Sequence, residues 1–206
     1  MTAIINYGVG NLFSLVSSLR YLGLDCKVTS SAEDILSADR VILPGVGAFG
    51  DAAARLSESL LIPAVRQCVS KGTPLLGICV GMQLLFDQSF EHGRFEGLGI
   101  IPGSICSLEQ DLAGLGLKVP QIGWNSLQLE KPGCPLFKYT GEGEFFYYVH
   151  SYYAKDCDEF IAADSEYGVR VPGVVWKGNV FGTQFHPEKS GSCGLSMLKA
   201  FSELER

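Results

Sequence analysis

The sequence predicts an α/β protein: an open, mostly parallel sheet flanked by helices, with added antiparallel strands in the second half. Through the first half, short apolar β-type runs alternate with stretches of helical periodicity, the pattern of a parallel sheet covered on both faces. After about Gly93 the rhythm changes to strands punctuated by Gly and Pro. The chain has 206 residues, 47% of them hydrophobic, enough for a substantial core in one domain over residues 1–206.

The run AIINY opens as a strand, and GNLFSLVSSLRYLG follows with Leu12, Val16 and Leu19 on one helical face and Gly23 as its stop. CKVT and SAEDILSA give a second strand and helix, Ser31 and Asp34 having the spacing of a helix N-terminal box. RVILPGVGAFGD reads as a third strand leaving into a glycine-rich loop, and one helix is expected from Ala52 to Val69, tolerating Pro63. TPLLGI is the next strand and VGMQLLFDQ the next helix. Then GLGIIPGSICSL, VPQIGWNSLQL, EFFYYVHSYYA and VPGVVWKGNVFGTQF read as strands, Lys177-Gly178-Asn179 as a hairpin turn and GLSMLKAFSEL as a closing helix.

Net charge is −6, from 22 acidic and 16 basic residues, and no Lys/Arg block exceeds a pair, so the footprint of a nucleic-acid binder is missing. No apolar run approaches the ~20 residues of a membrane span. Seven cysteines without CxxC pairs, and no signal segment ahead of MTAIINYGVGN, point to a reducing cytosol and a cytoplasmic protein. A small molecule or a protein is the expected partner.

Gly77-Ile78-Cys79-Val80-Gly81 has the form of a nucleophile elbow, in which a strand turns sharply into a helix and flanking glycines relieve crowding. A thiol there feels the helix dipole, which favours the attacking thiolate. Cys79 therefore reads either as a nucleophile or as a buried thiol at a strand end. A thiolate wants an imidazole partner and a group to orient it. Of three histidines, His92 lies in a polar loop-like segment and His150 reads as a satisfied strand histidine, whereas His186 follows an apolar strand and precedes Pro187 and Glu188. His186 thus projects from a strand end, where open α/β sheets bind ligands, with Glu188 placed to hold its ring tautomer. The loop LPGVGAFGD, with Gly45, Gly47 and Gly50, can point backbone N–H groups at an anion or can be a plain turn. NYGVGN lacks the third glycine of a dinucleotide loop.

Through GICVGMQLLF, VHSYY and FHPE the chain resembles the class I glutamine amidotransferases, a flavodoxin-like family with a Cys-His-Glu triad. Through NYGVGNLFSL, PGVGAFGDA, EGLGIIPG, IGWN and FHPEKSG it is similar, end to end, to the glutaminase subunits of imidazole glycerol phosphate synthases within that family. The resemblance implies that Cys79 attacks the side-chain amide of glutamine, with His186 moving the proton and Glu188 orienting His186. It places the oxyanion against the Val80 N–H and the Gly45-Val46-Gly47 loop, and the substrate against Gln83, Glu91, Ser151 and Tyr152. It implies no cofactor or metal.

The same resemblance implies ammonia supply to a separate (β/α)₈-barrel cyclase, as a heterodimer serving histidine biosynthesis, with Asn11, Trp124 and Lys189 near the interface. With so little chain after His186, the acceptor is expected elsewhere. Two positions depart from the family pattern: Asn6-Tyr7-Gly8 where Asp is frequent, and Gln121 where His is common. A glutaminase for another synthase, such as anthranilate or pyridoxal phosphate synthesis, is disfavoured by PGVGAF and GWN. A binding module on the same fold is disfavoured by the intact Cys79, His186 and Glu188.

Overall fold

The computed structural model describes residues 1–205. Strand β1 (Thr2–Ile5) is buried at every position and pairs in parallel with β2 (Cys26–Thr29) and β3 (Arg40–Gly45). A central parallel strand has helices over both faces, which is why it reads as an unbroken apolar run. Helix α1 (Leu12–Tyr21) links β1 to β2 and buries Leu15 and Leu19, with Leu12 and Val16 at the core margin. Asn11 caps it, its side-chain oxygen accepting from the Ser14 N–H at 3.3 Å, and Gly23 follows at φ +71°. Helix α2 (Ala32–Ser37) starts at Ser31, whose hydroxyl accepts from the Asp34 N–H.

Two expected helices are cut short. The apolar periodicity from Ala52 to Val69 belongs to two helices, α3 (Phe49–Glu58) and α4 (Ile62–Ser70), separated at Leu60, which adopts φ +60°. Pro63 sits in the first turn of α4, where a missing N–H leaves no hydrogen bond unmade. After β4 (Leu75–Cys79), the run VGMQLLFDQ makes only one α-turn, α5 (Val80–Gln83). The helix dipole at Cys79 is therefore that of a single turn, and stabilisation of a thiolate falls mainly on neighbouring side chains.

Next come β5 (Gln88–Ser89), β6 (Phe95–Glu96), β7 (Ser104–Ser107), α6 (Leu108–Asp111), β8 (Gln121–Ser126), β9 (Gln128–Leu129), β10 (Phe145–His150) and β11 (Tyr152–Lys155). Strands β5, β6, β7 and β11 form a small sheet, and β8 pairs with β10 as a two-stranded antiparallel ribbon. The chain then returns through β12 (Ile161–Glu166), β13 (Arg170–Lys177) and β14 (Val180–Thr183), and α7 (Gly191–Ser202) packs behind. The main sheet has the order β2-β1-β3-β4-β14-β13-β12-β9, parallel as far as β14 and antiparallel beyond. The parallel part has the doubly wound order of flavodoxin-like folds, with its crevice at the carboxyl ends of the strands.

The ribbon braces that crevice. Phe146 stacks on Phe185 with ring centroids 4.3 Å apart, Tyr148 meets Phe185 edge-on at 5.5 Å, and the His186 N–H donates to the Tyr147 carbonyl at 3.0 Å. Among the described residues no helix is long and apolar enough to cross a membrane.

Candidate active site

Cys79 ends β4 and Val80 begins α5, so the thiol sits at the sharpest point of a strand-to-helix turn. It adopts φ +54°, ψ −112°, a conformation that strains any residue with a side chain. The glycines make the turn sterically possible. A Cβ on Gly77 would lie 2.6 Å from the Gly81 carbonyl oxygen, and one on Gly81 only 1.9 Å from that of Leu43. Gly45 pairs with Cys79 across the β3–β4 ladder, and its own Cβ would meet the Gly81 nitrogen at 2.5 Å.

His186 lies just past β14, the parallel neighbour of β4, with Thr183 opposite Ile78 in the register. Its Nδ1–H donates to Glu188 Oε1 at 2.8 Å, both side chains being 3% exposed, and the ring is also hydrogen-bonded to Cys79. Burial alone would lower the imidazole's proton affinity. The hydrogen bonds to Cys79 and Glu188, with their negative charge, outweigh it and lift the pKa to about 9.

A cavity of about 380 Å³ opens in front of the thiol. Val46, Gly47, Cys79, Val80 and His186 line it with Gln83, Glu91, Ser151, Tyr152 and Lys189, together with Pro120, Val149 and His150. Glu91 Oε2 accepts from the Phe49 N–H at 2.7 Å, and Gln83 Nε2 donates to the Tyr152 carbonyl at 3.0 Å. Gly45, Glu188 and Asn11 stand behind the cavity, sharing with Val46 and His186 the wall of a much smaller void. Trp124 is outside it, on the exposed face of the ribbon with Ile122 and Phe145, its ring edge-on to Tyr147 at 6.1 Å.

His150 is buried with both ring nitrogens engaged, Nδ1 with the Tyr152 carbonyl at 3.0 Å and Nε2 with the Gln121 side chain at 2.9 Å. Burial pushes its pKa down to about 4, so it is neutral at pH 7. Glutamine at position 121, in place of the frequent histidine, is what meets this ring. Because the unfolded state takes up a proton near pH 6.5 and the folded state only near 4, the resulting stability is complete above 6.5 and lost as pH falls toward 4. His150→Gln should flatten the fall in unfolding free energy over that window by about 1.4 kcal/mol per pH unit, as measured by urea titrations at stepped pH.

Two residues at the site carried no sequence expectation. Tyr7, just beyond β1, donates its hydroxyl to the Pro44 carbonyl at 2.7 Å and so braces the exit of β3; burial and then the charge of Cys79 hold its phenol protonated well above the usual range. Gln184 lies fully buried between Gln83 and Cys79. The carboxyl-end rule that pointed to His186 applies equally to Tyr7 and Gln184.

Comparison with known proteins agrees with this architecture. Residues 3–203 match the family model for "Glutamine amidotransferase class-I". The chain is 50% identical to the imidazole glycerol phosphate synthase subunit HisH of Bacillus cereus (strain G9842), over 98% of this chain and 93% of that protein. It is 46% identical to the protein of the same name from Caldanaerobacter subterraneus subsp. tengcongensis, over 99% of this chain and 98% of the relative. Among solved structures, PurLQS from Thermotoga maritima superposes with a TM-score of 0.75 at 19% identity, covering 97% of this chain and 96% of that one, a likeness of fold. A strained cysteine between crowded glycines, a buried His–Glu pair beside it and the match along nearly the whole length lead to one assignment: the chain belongs to the class-I glutamine amidotransferase family.

Proposed function

We propose that the chain, as one catalytic unit over residues 1–206, hydrolyses glutamine to glutamate and ammonia through a thioester on Cys79. The observation that carries this is the strained Cys79 hydrogen-bonded to a His186 that Glu188 holds by the opposite nitrogen. In this reading His186 takes the thiol proton, the thiolate attacks the amide carbon, and His186 gives that proton to the departing ammonia. Water then attacks the thioester with His186 as base. The oxyanion is met by the Val80 N–H and by the Gly45-Val46-Gly47 backbone. Gln83, Glu91, Ser151 and Tyr152 hold the substrate; the negative charge that Glu91 and Glu109 place near Tyr152 suits an α-ammonium group.

We further propose that the ammonia passes to a separate (β/α)₈-barrel cyclase that forms imidazole glycerol phosphate in histidine biosynthesis, the two chains making a cytoplasmic heterodimer. The relatives' shared name supports this, and so does the ribbon face, where Ile122, Trp124 and Phe145 are more than half exposed at the side of the site. Lys189 at the cavity wall and Asn11 behind it are the other expected contacts. Mixing the chain with the cyclase and its nucleotide ligand should raise glutamate production strongly. Activity indifferent to the cyclase would assign the ammonia to a different acceptor.

A further inference from the structure

We infer that Gln184 is a positioning residue for the nucleophile: its buried amide donates to the Cys79 sulfur while its oxygen holds the Gln83 amide in one orientation at the cavity wall. The inference rests on the reading of Cys79 as the nucleophile. Gln184 is 0% exposed, and its backbone N–H donates to the Gly173 carbonyl at 2.9 Å, which fixes the strand end that carries it.

The direction of its side chain follows from a backbone group. The Tyr152 carbonyl can only accept, and it does so from two sides, from His150 Nδ1 at 3.0 Å and from Gln83 Nε2 at 3.0 Å. Turning the Gln83 amide over would set its oxygen against that carbonyl oxygen, a repulsive contact, so its NH₂ must face Tyr152. The second hydrogen of that NH₂ reaches Gln184 Oε1 at 3.1 Å. Gln184 must then aim its own NH₂ the other way, and Nε2 stands 3.9 Å from Cys79 Sγ. Carbonyl, amide, amide and sulfur thus form a directional series in which no member can reverse alone.

Such a donor does something His186 cannot. The charge on His186 comes and goes with the proton it moves: the ring is neutral once ammonia has taken that proton and charged again once it has taken one from water. In thioester hydrolysis the C–S bond breaks and its electron pair returns to sulfur. An amide N–H that never transfers its proton stabilises the emerging thiolate throughout, as hydrogen bonds to charged groups do. The Gln83 amide, with both hydrogens used inside the protein, leaves its oxygen as the group offered to the cavity.

The test is the pH dependence of Cys79 alkylation by iodoacetamide in the full chain, followed by mass spectrometry of the peptide that carries Cys79. Gln184→Met removes the donor at similar volume; it should raise the midpoint by about one pH unit, so that alkylation at pH values below the wild-type midpoint slows roughly tenfold. Gln184→Glu is the second variant should the first fold poorly. It keeps an oxygen toward Gln83 but lacks the amide donor, so it should raise the midpoint at least as far and lower kcat with KM little changed. Unchanged midpoints in folded variants would overturn the role of Gln184 and leave Cys79 as nucleophile. Absence of preferential, pH-dependent alkylation of Cys79 in the wild-type chain would overturn both.

Discussion

Cys79→Ala should lose glutamine hydrolysis by roughly six orders of magnitude in kcat, the scale on which removing the nucleophile of a catalytic triad acts. The thermal midpoint should stay near that of the wild type. The side chain is small, the strained φ of +54° is retained by alanine, and the glycine contacts that shape the elbow are untouched. A coupled assay for glutamate, with a melting curve on the same sample, separates chemistry from folding. Turnover near the wild-type rate would place the nucleophile elsewhere, and a collapsed melting curve would mean that the thiol is also a packing element.

Gly81→Ala should fail in the opposite way, by damaging the fold first. The added methyl would stand 1.9 Å from the Leu43 carbonyl oxygen and 2.8 Å from its carbon, both backbone atoms of the buried strand β3. No side-chain rotation relieves that overlap; the β4–α5 turn must move, taking Cys79 away from His186. Overpacking against a rigid main chain costs about 3 kcal/mol or more, which for a domain of this size lowers Tm by roughly 10 °C. Turnover should fall with it. Gly133→Ala is the control, since its Cβ would meet nothing within 4 Å and its φ is ordinary. Equal thermal midpoints for the two variants would mean that the elbow is softer than its contacts imply.

The parallel half of the fold was legible because its strands are buried on both faces and so appear as apolar runs bounded by glycine. Where a polar residue is neutralised by a distant partner, that signal fails. Strand β12 carried no expectation: it reads IAADSE, and its buried Asp164 is offset by an ion pair with Arg170 on the adjacent strand. The break at Leu60 was hidden for the converse reason, since the apolar period continues across it. Within the site, Cys79, His186 and Glu188 announced themselves by local context: an elbow, a strand end and a proline. Gln184 and Tyr7 did not, because what makes them informative is a partner on another strand. Trp124 was legible as an aromatic in GWN, but only the pairing of β8 with β10 places Ile122 and Phe145 on the same exposed face.

The adjacency of β4 and β14 has a consequence for how the molecule comes into being. Cys79 and Gln184 are neighbours in space but 105 residues apart in the chain, with a whole small sheet and a ribbon between them. Contacts of such sequence separation form late, after local helices and hairpins, because the loop they close must first be drawn in. A nascent or partly refolded chain therefore carries the thiol without the imidazole, the carboxylate or the amide that act on it. Chemical reactivity at Cys79 is a clock for the last stage of assembly, and a chain interrupted before residue 180 is not a weak enzyme but an inert one.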